Sequence, residues 1–142
     1  MLLRPLAGSA PHSIRMPAEI ADLNVAARQY AQQLPSALDL LILGVGDDGH
    51  VCSLFPGHRA LQVANTTVTV VDDAPKPPAR RLTLTLNYLL KTHNVWVVAV
   101  GERKRLLLQR AVSAEAESLP IDLVISQGRG VTIFTDQQIY RR

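Results

Sequence analysis

The stretch Leu38–His58, LDLLILGVGDDGHVCSLFPGH, constrains this chain more than any other. An apolar run, Leu38–Leu43, is broken only by Asp39 and stopped by Gly44. A short apolar run bounded by glycine reads as a buried strand. Three glycines, Gly44, Gly46 and Gly49, then interleave with Asp47 and Asp48 and lead to His50. In an open parallel sheet, ligands bind at the carboxyl ends of the strands. The imidazole therefore stands where such a sheet does its chemistry. A lone loop histidine is more often a plain surface residue, but this one has carboxylates and glycines beside it.

The flanking segments alternate between helical and extended patterns. Residues 1–16 are irregular, because Pro5, Gly8, Ser9 and Pro11 discourage regular structure. Leu23, Ala26, Ala27, Tyr30, Ala31 and Leu34 recur at helical spacing, with Asp22 as a cap and Pro35 as a stop. This helix leads into the Leu38–Leu43 strand as half of a parallel-sheet unit. Val51–Phe55 has room for at most a short helical turn before Pro56 and Gly57. Thr66–Val71 is β-branched and reads as a strand.

Asp72–Arg81 is a loop stiffened by Pro75, Pro77 and Pro78, so Lys76, Arg80 and Arg81 are held at low entropic cost. Leu82–Leu86 is extended, and a helix follows to about His93. Val95–Val100 is the clearest strand, and Gly101 ends it. Glu102–Val112 reads as a helix, and Ser118-Leu119-Pro120 breaks the chain. Leu123–Ile125 and Val131–Phe134 are short strand candidates. Strands alternating with helices predict one α/β domain with a Rossmann-like, mostly parallel sheet over residues 1–142.

Composition removes several classes of function. A net charge of +3, with no stripe of aromatic and basic residues, argues against nucleic acid as a partner. The single cysteine, Cys52, allows no intrachain disulfide and no cysteine metal cluster, and no basic neighbour activates it. No apolar run is long enough to span a membrane. Arg4 and Arg15 give the first residues only a weak likeness to a transit peptide, and a cytoplasmic location is expected.

Three stretches bear chemistry. Gly44–Gly49 formally matches G-x-G-x-x-G, and Asp72 lies roughly where a ribose-binding acid would stand. A dinucleotide site is disfavoured, because Asp47 and Asp48 would face the pyrophosphate and Pro56 cuts short the helix that should follow. In Asp48-Gly49-His50, the carboxylate can orient an imidazole suited to activating water, while Asp47 is read as capping a turn. In Gly101-Glu102-Arg103-Lys104, a lysine stands in the first turn of a helix, where the dipole disfavours it unless an anion is near. His12, His58 and His93 have no such setting and are read as surface residues. No zinc-type or serine-elbow motif occurs.

These stretches together resemble the 6-phosphogluconolactonase family. LLILGVGDDGHVCSLFPG at 40–57 is similar to its L-G-x-G-x-D-G-H-x-x-S-L-F-P-G signature. APKPPARRLTLTL at 74–86 resembles its P-K-P-P-x-x-R-x-T segment, and Gly101–Lys104 its G-x-x-K turn. Leu119-Pro120 and Phe134-Thr135-Asp136 resemble the closing segment, and Ile14-Arg15-Met16-Pro17 the entry before the first helix. The resemblance implies hydrolysis of 6-phospho-D-glucono-1,5-lactone, a small phosphorylated sugar lactone, with His50 activating water and Asp48 supporting it. It implies substrate contacts at Gly44, Gly46, Gly49, Lys76, Arg81 and Lys104, with the phosphate on Arg81 and Lys104, and no metal or cofactor.

The sister hexosamine-6-phosphate isomerases and deaminases continue F-N-E-P after the histidine. Here Ser53-Leu54-Phe55-Pro56 supplies no carboxylate, which favours the lactonase. The family's domain begins roughly a hundred residues earlier, with a G-G-S/T phosphate loop and a D-E-R motif that this sequence lacks. The chain is thus expected to be a carboxyl-terminal portion, with an open sheet edge as a route to self-association. A truncated, inactive phosphosugar-binding module is the rival reading.

Overall fold

A computed structural model describes residues 12–113 and 119–140. The expectations for residues 1–11 and for Ser118 lie outside them; residues 12–17 have no regular structure. In chain order come α1 (Leu23–Ala31), β1 (Leu40–Gly44), a 3-10 turn (Arg59–Gln62), β2 (Val68–Val71) and β3 (Arg81–Leu84). They are followed by α2 (Leu86–Leu90), β4 (Asn94–Val98), α3 (Arg103–Ala111), α4 (Pro120–Gln127) and β5 (Val131–Phe134).

The main sheet is parallel, in the order β1-β4-β5. Its register pairs Gly44 with Val98 and Val98 with Phe134, so all three strands end on one rim. One face of this sheet is buried. Leu41, Leu43, Val95 and Val97 pack there with Val51, Leu54 and Phe55 from the loop after β1, and with Ile121 and Val124 of α4.

The opposite face corrects an expectation. The β1 run reads as a strand buried throughout, yet Ile42 is 61% exposed, with Leu40, Trp96, Val98 and Phe134 also exposed beside it. Parallel sheets are normally covered on both faces. Among the described residues no layer covers this one, so the strands show the alternating burial of a half-covered sheet.

A second unit stands beside the first. β2 and β3 form an antiparallel pair across the proline-rich loop, with Val68 opposite Leu84 and Val71 opposite Arg81. Asp22 caps α1 by accepting from the amides of Asn24 and Val25. The apolar stripe of α1 (Leu23, Ala26, Ala27) packs on Val68 and Leu82, not on the parallel sheet it leads into. The apolar stripe is legible in the sequence, but its partner is not. Thr85 ties the two units together. Its hydroxyl donates to the Thr66 carbonyl at 2.7 Å, and it caps α2.

One further reading is corrected. Leu123–Ile125 is the middle of α4 and not a strand. Pro120 occupies the first helical turn, where its missing N–H leaves no bond unmade, and the Asp122 carboxylate accepts from the Leu119 amide at 3.0 Å. Three apolar residues are too few for their periodicity to separate strand from helix. Val51–Phe55, with room for at most a short helical turn, makes none. Val51 forms isolated bridges with Val45 and Leu54, so the chain doubles back on itself.

Candidate active site

The site forms on the rim where β1, β4 and β5 end. After β1 the chain closes into a tight turn: the Gly46 amide donates to the His50 carbonyl at 2.9 Å, and the Gly49 amide to the Gly46 carbonyl at 3.0 Å. Two glycines are required by geometry. Gly49 has φ of +81°, and a Cβ there would also lie 2.5 Å from the Leu119 side chain. A Cβ on Gly46 would lie 2.1 Å from the His50 ring, which rests against that backbone. Gly44 faces open space, so neither crowding nor φ demands a glycine there.

The turn brings His50 Nδ1 within 2.5 Å of Asp48 Oδ1. The ring is only 19% exposed and packs on Phe55, with centroids 4.7 Å apart. Lys76, from the proline-rich loop, lies 3.0 Å from the other Asp48 oxygen. Partial burial is the largest single influence on the Asp48 carboxyl and works to raise its pKa. Hydrogen bonds from Lys76, His50 and its own backbone, with the charge of the imidazole, outweigh it and hold the group at about 2. An ionised Asp48 accepts, so Nδ1 donates, and a neutral ring then offers Nε2 as a base.

That shift has a measurable consequence. A carboxyl whose folded pKa is depressed adds stability above its ordinary pKa and loses it as pH falls toward the folded value. The Asp48 contribution is therefore expected to be present above about pH 4 and to drain away toward pH 2. Urea unfolding at steps across that interval should show a shallower pH dependence in Asp48→Asn than in the parent chain. Parallel curves would contradict the hydrogen bonding described for Asp48.

The remaining cations reach the rim differently. Lys104 lies in the first turn of α3, and its Nζ donates to Asp47, whose other oxygen is 3.7 Å from Arg103. The hydrogen bond and charge of Lys104 hold Asp47 below the usual carboxylate range against the pull of burial; Arg103 and Lys76 add to this. The adjoining turn is pinned by the Gly101 amide donating to Asp136 at 2.8 Å. Arg81 does not join the cluster. Its guanidinium donates to the carbonyls of Lys76, Pro77 and Pro78 and lies 5.3 Å over the Phe55 ring. It braces the loop that delivers Lys76.

Of the eight residues expected at the site, His50, Asp48, Gly46, Gly49 and Lys76 meet around one turn. Lys104 reaches that turn through Asp47, Arg81 acts on the loop behind it, and Gly44 ends β1. Sequence reasoning missed Phe55 as the wall behind His50, although it lies within the Ser53–Gly57 segment. It also missed Thr83, whose hydroxyl accepts from the Ser53 amide at 3.1 Å. His58 is a correction. Its side chain is 11% exposed, and its Nε2 lies 2.7 Å from Asp73 while its Nδ1 accepts from the Ala60 amide. It is a structural cap, and residues fifteen apart gave no local signal for the pair. No helix follows Gly49, so the glycine loop lacks the helix end on which a dinucleotide pyrophosphate rests. Among the described residues, no group of three or more His, Cys, Asp or Glu side chains could hold a metal ion.

These features define an α/β protein of the open parallel-sheet class with its candidate site on the carboxyl rim. The family model described as glucosamine-6-phosphate isomerases/6-phosphogluconolactonase matches residues 1–134. The 6-phosphogluconolactonase of Rattus norvegicus is 42% identical over 124 residues, a match covering 82% of this chain and 48% of the relative. The solved 6-phosphogluconolactonase from Trypanosoma brucei superposes with a TM-score of 0.68 at 26% identity, over 91% of this chain and 54% of that one. A monomeric glucosamine-6-phosphate deaminase superposes at 0.62 with 20% identity, over 81% and 53%, a likeness of fold alone. The chain belongs to the glucosamine-6-phosphate isomerase/6-phosphogluconolactonase family. It spans about half the length of the curated relatives it matches.

Proposed function

We propose that this chain bears the catalytic half-site of a 6-phosphogluconolactonase, which converts 6-phospho-D-glucono-1,5-lactone to 6-phospho-D-gluconate in the oxidative pentose phosphate branch. The observation that supports it most is the His50–Asp48 pair on the rim, with Lys76 and Lys104 alongside. In this reading a water attacks the lactone carbonyl while His50 Nε2 takes its proton. Asp48 stabilises the imidazolium that forms. The ring C–O bond then breaks, and the proton passes to the departing hydroxyl. Gly44, Gly46 and Gly49 let backbone approach the sugar, and Lys104, with Arg81 behind the loop, serves the phosphate. The resemblance calls for no cofactor. The absence of a carboxylate in Ser53–Pro56 weighs against the isomerase or deaminase alternative. We place the protein in the cytoplasm; no helix among the described residues is long and apolar enough to cross a membrane.

The test is lactone disappearance above spontaneous hydrolysis, with the lactone generated in place. The purified chain and an amino-terminally extended chain are assayed side by side. Turnover by either supports the assignment, and silence in both sinks it. Binding of 6-phospho-D-gluconate without turnover in either would favour the rival binding module.

We also propose that the chain by itself associates with a second copy. β1 and β5 each pair on one side only among the described residues, and the sheet face between them is apolar and exposed. Sedimentation velocity should show a concentration-dependent larger species. Ile42→Lys, on that exposed face, should diminish it. A parent chain that stays monomeric throughout overturns this.

A further inference from the structure

Asp47 does something that the lactonase reading does not need. Lys104, the cation expected to take the substrate phosphate, is already engaged, because its Nζ donates to the Asp47 carboxylate. The two partners differ in exposure: the Lys104 side chain is 13% exposed and the Asp47 side chain 54%. The lysine is held by its surroundings, whereas the carboxylate faces water and can turn away. Arg103 approaches the second Asp47 oxygen at 3.7 Å, so two cations of the first turn of α3 converge on one acid. The dipole of α3 disfavours Lys104 in its first turn, and Asp47 offsets that penalty.

We infer that Asp47 is a tethered counter-ion of the anion site: it occupies Lys104 in the free protein and gives way to an incoming phosphate. This rests on the phosphate-binding part of the reading above and deepens it. Being part of the chain, Asp47 competes at a fixed effective concentration. Weak monovalent anions then fail to displace it. A phosphate dianion, with more charge and more acceptor oxygens, succeeds. Asp47 thereby sets a threshold for what may occupy Lys104, and its return helps to expel a phosphorylated product.

The experiment titrates inorganic phosphate into the full chain and into Asp47→Asn, following chemical shifts of the rim residues at constant ionic strength. An exposed ion pair of this kind is expected to weaken phosphate binding by about two- to fivefold, so Asp47→Asn should bind that much more tightly. The Lys104→Met background separates a specific counter-ion from a general charge effect. There Asp47→Asn should no longer tighten binding. Equal or weaker binding by Asp47→Asn in the parent background, including binding by neither chain, overturns the inference, as does tightening that survives Lys104→Met. Titration with 6-phospho-D-gluconate addresses the lactonase reading separately. If that ligand and lactone turnover both fail in both chain lengths while the phosphate pattern holds, the reading falls and the counter-ion stands.

Discussion

Replacing His50 with alanine is expected to lower lactone hydrolysis by about a hundredfold or more in whichever chain length turns over, since a positioned general base contributes at least that much. The prediction is specific because the ring is fixed from three sides. Asp48 holds Nδ1 at 2.5 Å, Phe55 packs against the ring, and the Gly46 backbone lies where any Cβ would collide with it. A ring so held needs no reorganisation before it takes a proton, which is the condition for efficient base catalysis. The imidazole is partly buried against Phe55 at the edge of the apolar core and is not among its large apolar side chains, so His50→Ala should fold. Circular dichroism matching the parent would establish that. The measurement is initial rate above spontaneous hydrolysis, across pH. A variant that keeps parental activity would remove His50 from the chemistry and leave Asp48 as the pair member to test.

Phe55→Ala is expected to destabilise the fold by about 3–5 kcal/mol, the usual loss for a fully buried aromatic truncated to alanine. Phe55 is 1% exposed. It joins the core formed by Leu41, Leu43, Val97 and Ile121, and it also lies against His50 and beneath Arg81. Removing it opens a cavity under the sheet and takes away the wall behind the imidazole. A domain of this size has roughly 5–15 kcal/mol in all, so the loss would be a large share of its stability. Urea denaturation followed by circular dichroism reads it out. Phe55→Leu, which keeps much of the volume, should lose less and retain the His50–Asp48 contact. A Phe55→Ala midpoint close to the parent's would mean that the loop after β1 does not hold the core together as described.

What the sequence could show, and what it could not, follows the range of the forces involved. Strand, turn and cap signals are local. Gly44 ends β1, Asp22 caps α1, and Gly49 turns the chain between Asp48 and His50, so each of these is legible where it stands; the VWVVAV strand is legible as well, though it ends at Val98 and not at Gly101. The parallel sheet was legible too, because strands alternating with helices leave few other arrangements. Leu123–Ile125 was misread because three apolar residues fit either period, and the deciding contact, the Asp122 carboxylate on the Leu119 amide, is a capping device that a strand reading ignores.

Other features belong to the tertiary structure alone. The sequence by itself determined the chemistry available: an acid–glycine–imidazole turn after a strand, a stiff loop with a lysine, and a lysine at a helix start. Only folding decided that Lys104 meets Asp47 across 57 positions, that Arg81 braces its own loop, and that His58 is a cap paired with Asp73. It also decided that α1 covers the β2–β3 pair and that one face of the parallel sheet stays open. The physical reason is that side-chain ion pairs and layer packing depend on which strand lies beside which. Sequence pattern restricts that order, and only the packed core settles it.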